Sequence, residues 1–231
     1  TVPNTTTPAS PMSRWRSPCP GARMRRPADA ATPAARYARR RPRLVVMVKA
    51  PRPGRVKTRL GAGIGMVPAA WWMRHQLRAL LPRLRDPRWD LVLAVAPDAA
   101  TGARDWPAHL PRLPQGTGDL GARMGRVLRT APAGPLCIIG ADIPGVTRAH
   151  IARAFRALGH ADAVLGPAPD GGYWLIGLAR TAATPATLFD GVRWSSPHAR
   201  ADTEASLPGA RIAHVDRLAD VDEAADLPRH A

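Results

Sequence analysis

From residue 43 onward the chain alternates between short unbroken apolar runs and longer segments whose apolar residues recur every three or four positions. The runs Leu44–Val48, Leu91–Ala96, Leu136–Ile139 and Ala161–Leu165 read as strands, and β-branched Val and Ile recur in them as expected of strands buried on both faces. Tyr173–Leu178 adds a further apolar extended segment, and Arg211–Val215 a late strand. Helical spacing runs through Met66–Leu84, where Pro68 is tolerable near the start and Pro82 near the end. It recurs over Gly118–Arg129, which places Leu120, Met124, Val127 and Leu128 on one face. Thr147–Leu158 makes another helix, with Thr147 as its cap. Ser195 or Ser196 would cap a helix reaching about Ser206, and Asp222–Leu227 a short last one. No internal repeat is visible. This alternation predicts a single α/β, Rossmann-like domain over residues 43–231, its central sheet mostly parallel with helices on both faces. Ligands of such sheets bind beyond the carboxyl ends of the strands.

Residues 1–42 contain Thr, Pro, Ala, Ser and Arg without apolar periodicity, so we expect a disordered leader. It is Arg-rich and acid-poor like a transit peptide, but has no apolar stretch suited to secretion. A fragment or a misassigned start is the simpler expectation, because residue 1 is Thr.

The formal net charge is +17, which raises the question of nucleic acid. Its distribution answers otherwise. Residues 1–43 carry ten arginines against Asp29 alone, and 32 of the 34 basic residues are Arg beside abundant Ala and Pro, a compositional skew. Basic and aromatic residues do not interleave as they do in base-stacking surfaces, so a polyanion binder is the remote alternative. Cys19 and Cys137 form no disulfide framework, which fits a reducing, cytoplasmic setting. No run approaches a membrane span.

Chemistry concentrates in three stretches. The first runs from the strand Leu44–Val48 into a loop with Lys49, Arg52, Arg55, Lys57 and Arg59, where Pro51, Pro53 and Gly54 forbid a helix. The loop is either a solvated basic surface or a receptacle for a di- or triphosphate. Its spacing is not that of a P-loop. The second is Asp142 in IIGADIPG, at the end of an apolar strand: a ligand for Mg²⁺ or Mn²⁺, or a turn aspartate. The third is LGPAPDGGYWLIGL, where Asp170-Gly171-Gly172 reads as a hairpin turn and Tyr173 and Trp174 are core or pocket wall. GTGDLGARM (Gly116–Met124) adds glycines at a helix N-terminus, where N–H groups can meet a phosphate or a base edge. Asp220, Asp222 and Asp226 read as an acidic turn and cap. The seven histidines lack metal-ligand spacing, and no G-x-S-x-G motif is present.

In order, KAPRPGRVKTRL, GTGDLGARM, IGADIPG, LGPAPDGGYWLIGL, the WSS of Trp194–Ser196 and DVDEAADL resemble a bacterial family of arsenosugar-biosynthesis-type glycosyltransferases. The resemblance covers about residues 43–228 and implies a GT-A-like nucleotide-diphospho-sugar transferase fold. It implies a nucleotide diphosphate held by Lys49, Arg52, Gly54, Arg55, Lys57, Thr58 and Arg59, with Gly118 and Asp119 near the nucleoside. Asp142 would stand at the fold's metal-binding aspartate. In related molybdenum-cofactor nucleotidyltransferases a D-I-D-T-P-E-D-L segment supplies a second metal ligand. Asp220-Val221-Asp222 through Leu227 is similar and puts Asp222 in that role, although Glu223-Ala224-Ala225 replaces Thr-Pro-Glu. Asp170 is the candidate general base, and Gly171, Gly172 and Tyr173 would shape the acceptor side. The implied activity is a Mg²⁺- or Mn²⁺-dependent transfer from a nucleotide-activated donor to an acceptor the sequence does not name. Nucleotidyl transfer from an NTP to a small phosphorylated acceptor is the alternative on the same fold. Oligomeric state is not legible.

Overall fold

The structure, a computed structural model, describes residue 1 and residues 41–180 and 183–227. The expected leader therefore lies almost wholly outside the described residues. All elements below belong to the unit spanning Thr32–Ala231.

Each buried run becomes a strand. β1 (Arg43–Lys49), β2 (Asp90–Ala96), β4 (Leu136–Ile139), β5 (Ala163–Pro167) and β6 (Tyr173–Leu178) fall within two residues of the runs read from the sequence. β3 (Arg112–Pro114) and β7 (Ile212–His214) are three-residue edge strands. The seven strands lie in the order β3-β2-β1-β4-β6-β5-β7. Val46 of central β1 faces Leu93 of β2 on one side and Ile139 of β4 on the other. All pairings are parallel except those of β6, which runs antiparallel to β4 and β5. Only residues 168–172 separate β5 from β6, too few for a crossover, so the chain reverses instead.

Both faces of the sheet are covered, as period-two alternation along β1 requires. Leu44, Val46 and Val48 pack against α2 (Met66–Leu84) and α4 (Arg148–Ala157) through Met73, Leu77, Leu80 and Ile151. Val45 packs against α3 (Leu120–Thr130) through Met124, Val127 and Leu128, in a layer completed by Leu188, Phe189 and Leu207. A small third cluster joins Leu60 and Ala69 to Val221.

The structure departs from the local pattern in five places. Helix α1 (Thr58–Ile64) begins inside the basic loop expected to reach Arg59. With seven residues and two glycines it is too short to show periodicity, and it takes Thr58 and Arg59 out of the loop. β3, half-exposed and ending in Pro114, left no apolar run either. Leu120, expected on the buried face of α3, is 46% exposed. Neither Ser195 nor Ser196 caps α5 (Ala199–Ala205), which begins after His198. The Ser196 hydroxyl donates to the Arg193 carbonyl and accepts the His198 N–H, closing a tight turn. The last helix is a single 3₁₀ turn at Ala224–Asp226. Among the described residues, no helix is long and apolar enough to cross a membrane.

Leu93 is fully buried at the middle of the sheet. Leu93→Ala should cost about 3 kcal/mol, the range for a large-to-small core change. Leu120→Ala should stay within about 0.5 kcal/mol, as for an exposed site. Urea denaturation midpoints at unchanged slope check both, and equal losses would contradict the assigned core.

Candidate functional site

The carboxyl ends of β1 and β4 meet the segment that follows β7 at one rim of the sheet. After β1 the backbone turns tightly: Ala50 N–H donates to the Ala96 carbonyl at 2.7 Å, and Arg52 N–H to that of Ala50 at 2.8 Å. Gly54, at φ +69°, meets nothing where a Cβ would stand, so its glycine serves the backbone conformation and not a close approach. Lys57 closes the loop in the left-handed region, φ 46° and ψ 51°, at the start of α1. For a side chain with a Cβ that conformation costs about 1 kcal/mol or more. The result is a lysine turned inward, with its side chain 9% exposed.

Asp142 lies just beyond β4, after Gly140-Ala141. A Cβ on Gly140 would stand 2.7 Å from the Asp142 Oδ1, so only glycine lets that carboxylate fold back over the strand end. The segment after β7 is stitched along the same rim. Val215 N–H donates to the Leu165 carbonyl (2.9 Å), Leu218 N–H to Pro167 (3.1 Å) and Val221 N–H to Asp142 (3.1 Å). Val221 is buried against Leu60 and Ala69, while Asp220 and Asp222 on either side of it bring their carboxylates to Asp142. One oxygen from each of Asp142, Asp220 and Asp222 lies within 4.8 Å of the others.

Lys57 sits among them. Its ammonium pairs with Asp142 and lies 2.8 Å from Asp222 Oδ1, and Arg59 Nη1 donates to Asp222 Oδ2 at 2.9 Å. Burial works against the Lys57 charge, but the two carboxylates outweigh it and hold its pKa above the ordinary lysine value. Asp220 is pushed up to about 6, by burial first and then by the charges of Asp142 and Asp222, with Lys57 partly opposing. Asp226 caps the chain beneath, its Oδ2 accepting the N–H groups of Asp222 (2.9 Å) and Glu223 (2.8 Å).

Two hollows adjoin this cluster and share Met47, Arg59, Gly140, Asp142 and Asp222 as their common wall. The smaller, about 330 Å³, brings together Lys49, Lys57, Thr58 and Arg59 with the carboxylates. The larger, about 490 Å³, adds Asp170, Gly172, Tyr173, Trp194 and Asp220. Asp170 does form the hairpin turn, its Oδ1 accepting the Gly172 N–H at 2.9 Å. Gly171, at φ +86°, packs where a Cβ would meet the Pro197 carbonyl oxygen at 2.3 Å, so it supports the wall without lining it. Burial raises the Tyr173 phenol far above its usual range. The Thr203 hydroxyl donates to it at 3.3 Å, and its ring meets Trp194 edge-on at 6.5 Å between centroids.

Several expected residues stand apart. Arg52, Gly54 and Arg55 are exposed on the loop and line neither hollow. Gly118 and Asp119 line neither, and Asp119 is occupied as the cap of α3, its Oδ1 accepting the Ala122 N–H at 2.8 Å. Asp220, whose sequence context suggests a turn, and Trp194 line the larger hollow without having been expected there. The signal available for Asp220 was its spacing, two residues from Asp222.

The family described as an uncharacterized protein conserved in bacteria, DUF2064, matches residues 80–196. A solved structure from Desulfovibrio desulfuricans G20, described provisionally as a nucleotide-diphospho-sugar transferase, shares 30% identity with this chain. The alignment covers 79% of this chain and 83% of that one, with a TM-score of 0.68. Two remoter likenesses are too slight to carry function. Rv0371c from Mycobacterium tuberculosis H37Rv, solved with manganese, is 14% identical over 81% of this chain and 96% of its own, with a TM-score of 0.46. A CMP:2-keto-3-deoxy-manno-octonic acid synthetase solved with CTP is 11% identical over 80% and 95%, with a TM-score of 0.49. No curated protein matches.

The raised Asp220 pKa, about 6 against an ordinary 3.8, has a stability consequence. Between those values the folded state binds the proton better than the unfolded one, so this group costs stability as pH rises through 6. In metal-free buffer, Asp220→Asn should raise the melting temperature at pH 7, by about 1 kcal/mol of stability once solvent screening of this half-buried group is allowed for, and leave it nearly unchanged at pH 3.5. Thermal unfolding at the two pH values checks this. An equal shift at both would mean that burial and the neighbouring carboxylates do not raise the Asp220 pKa.

Proposed function

This chain belongs to the DUF2064 family, and we propose that it is a metal-dependent transferase acting on a nucleotide-activated donor, with a nucleoside diphosphate sugar as substrate. One observation carries the reading. Cations from the β1–α1 connection and a triad of carboxylates meet at the wall between two adjoining hollows, at the carboxyl rim of a mostly parallel sheet. The relative at 30% identity, itself described provisionally as a nucleotide-diphospho-sugar transferase, supports it.

The donor set of Asp142, Asp220 and Asp222 is hard oxygen only, which fits Mg²⁺ or Mn²⁺ and not a softer metal. When bound, that cation would neutralise charge on the leaving diphosphate. Lys49, Lys57, Thr58 and Arg59 bind the phosphates in the smaller hollow, and Arg52 and Arg55 add long-range attraction from the exposed loop. Gly118 and Asp119 order the turn beside the nucleoside. On the other side, Asp170 is the group positioned to accept a proton from an incoming hydroxyl, and Gly171, Gly172 and Tyr173 shape its approach. Positioning and electrostatic stabilisation supply the acceleration, with no covalent intermediate. The narrower link to arsenosugar biosynthesis and a cytoplasmic setting belong to this proposal on motif resemblance and cysteine usage.

A second reading has its own support: so many cations suit a triphosphate as well, which would make the reaction nucleotidyl transfer to a phosphorylated acceptor. Product analysis separates them, since the first releases a nucleoside diphosphate and the second pyrophosphate.

Two variants test the site. Lys57→Ala should weaken donor binding at least tenfold by calorimetry, and unchanged affinity would remove Lys57 from the phosphate site. Asp142→Asn should lower Mn²⁺-dependent turnover by a factor of about 100 or more, as loss of a charge-stabilising group does. Full activity would sink the metal assignment. With wild-type protein, a melting-temperature rise that needs both Mn²⁺ and one diphospho-sugar identifies the donor by mass action.

A further inference from the structure

Resting on that reading, we propose that the acceptor received by the larger hollow is a neutral or cationic hydroxyl-bearing molecule, carrying neither phosphate nor carboxylate. The division of charge between the two hollows carries the argument. The whole sequence has two lysines, Lys49 and Lys57, and both border the smaller hollow. The larger is bordered by four carboxylates, Asp142, Asp170, Asp220 and Asp222, and among the described residues by one cation, Arg59. That guanidinium is already paired with Asp222 at 2.9 Å, and Asp142 and Asp222 are shared with the smaller hollow and paired with Lys57, so Asp170 and Asp220 are the carboxylates peculiar to the larger one.

Two of the arginines on the surrounding elements are already spent on carboxylates. Arg193 grips Asp202 through two bonds of 2.8 and 2.9 Å, and Arg200 pairs with Glu204 at 2.9 Å. Arg123 donates to the Gly118 carbonyl at 2.9 Å and Arg217 to that of Pro169 at 3.3 Å, and neither lines the hollow. A divalent cation on the triad would offset two of the carboxylate charges, and the donor's own diphosphate would return them. An acceptor phosphate would therefore enter a hollow of its own sign at short range.

What the hollow offers instead is ring surface and hydroxyl-sized polarity. Tyr173, Trp194 and Met124 form an apolar wall suited to the C–H face of a sugar or polyol. Asp170 spends Oδ1 on the Gly172 N–H and leaves Oδ2 without a partner among the described residues, open to a hydroxyl or an ammonium. The same charge division tells against nucleotidyl transfer to a phosphorylated acceptor, which would need cations where the carboxylates stand.

The test uses the full chain with Mn²⁺ and the donor that gives the metal-dependent thermal shift. Release of nucleoside diphosphate is followed with matched acceptors: glucose, glucosamine, glucose 6-phosphate and glucuronate, then ribitol and ribitol 5-phosphate. Stimulation by the neutral or amino member should exceed that of its anionic counterpart at least tenfold. Ser195→Lys, which adds a cation to the exposed rim of the hollow, should narrow that ratio several-fold without altering donor affinity. An anionic acceptor that reacts as well as its neutral partner overturns the proposal and leaves the donor reading standing. So does a rate indifferent to every acceptor, because the hollow would then not be the acceptor site. If no diphospho-sugar binds, the donor reading falls first and the acceptor proposal with it.

Discussion

Three carboxylates with oxygens within 4.8 Å of one another repel, and Lys57 is the charge that holds them together. Its ammonium reaches Asp142 from β4 and Asp222 from the C-terminal segment, so one side chain ties the first connection of the fold to its last. The backbone accepts a left-handed residue at Lys57 to make this possible, and burial accepts a charged lysine. Both are unfavourable alone. They are sustained because the pairing is intramolecular and the surrounding shell, including Val221 against Leu60 and Ala69, is packed.

The sheet explains why these groups share an address. In a parallel sheet every strand ends on the same side, so the loops after β1, β4 and β5 converge at one rim. β6 runs antiparallel and starts where β5 stops, which keeps the Asp170–Tyr173 turn on that rim as well. The segment after β7 then crosses the rim, hydrogen-bonded in turn to Leu165, Pro167 and Asp142. These bonds set the register that delivers Asp220 and Asp222 to β4. Chain order is irrelevant to the site; strand direction determines it.

The cluster also partitions the rim. Its shared wall of Asp142, Asp222 and Met47 separates a cationic side, supplied by the β1–α1 connection, from an acidic and aromatic side, supplied by the β5–β6 turn and by Trp194. A two-part substrate with one anionic and one uncharged end would find its polarity matched across that wall. The overall charge of +17 conceals this. Much of it lies in residues 1–43 and on exposed arginines, whereas the rim itself is balanced almost group for group.

Whatever depends on contiguous residues was legible in the sequence. Buried strands declare themselves as short apolar runs because both faces are covered, and α2 shows over its whole length because nineteen residues give the period time to repeat. Asp142 and Asp170 were visible as carboxylates at the end of a strand and in a Gly-rich turn. α1 and β3 were not, since seven and three residues give no period to read. Asp220 reads as a solvated turn because Asp142, the first of the two charges that raise its pKa beyond the effect of burial, is distant in the chain, although the second, Asp222, is two residues away. The inward course of Lys57 was equally hidden, as its partner Asp222 lies 165 residues away. Local hydrophobic pattern determines which segments become strands and helices. Which charges end up face to face is decided only when strand direction and long-range hydrogen bonds bring distant segments together.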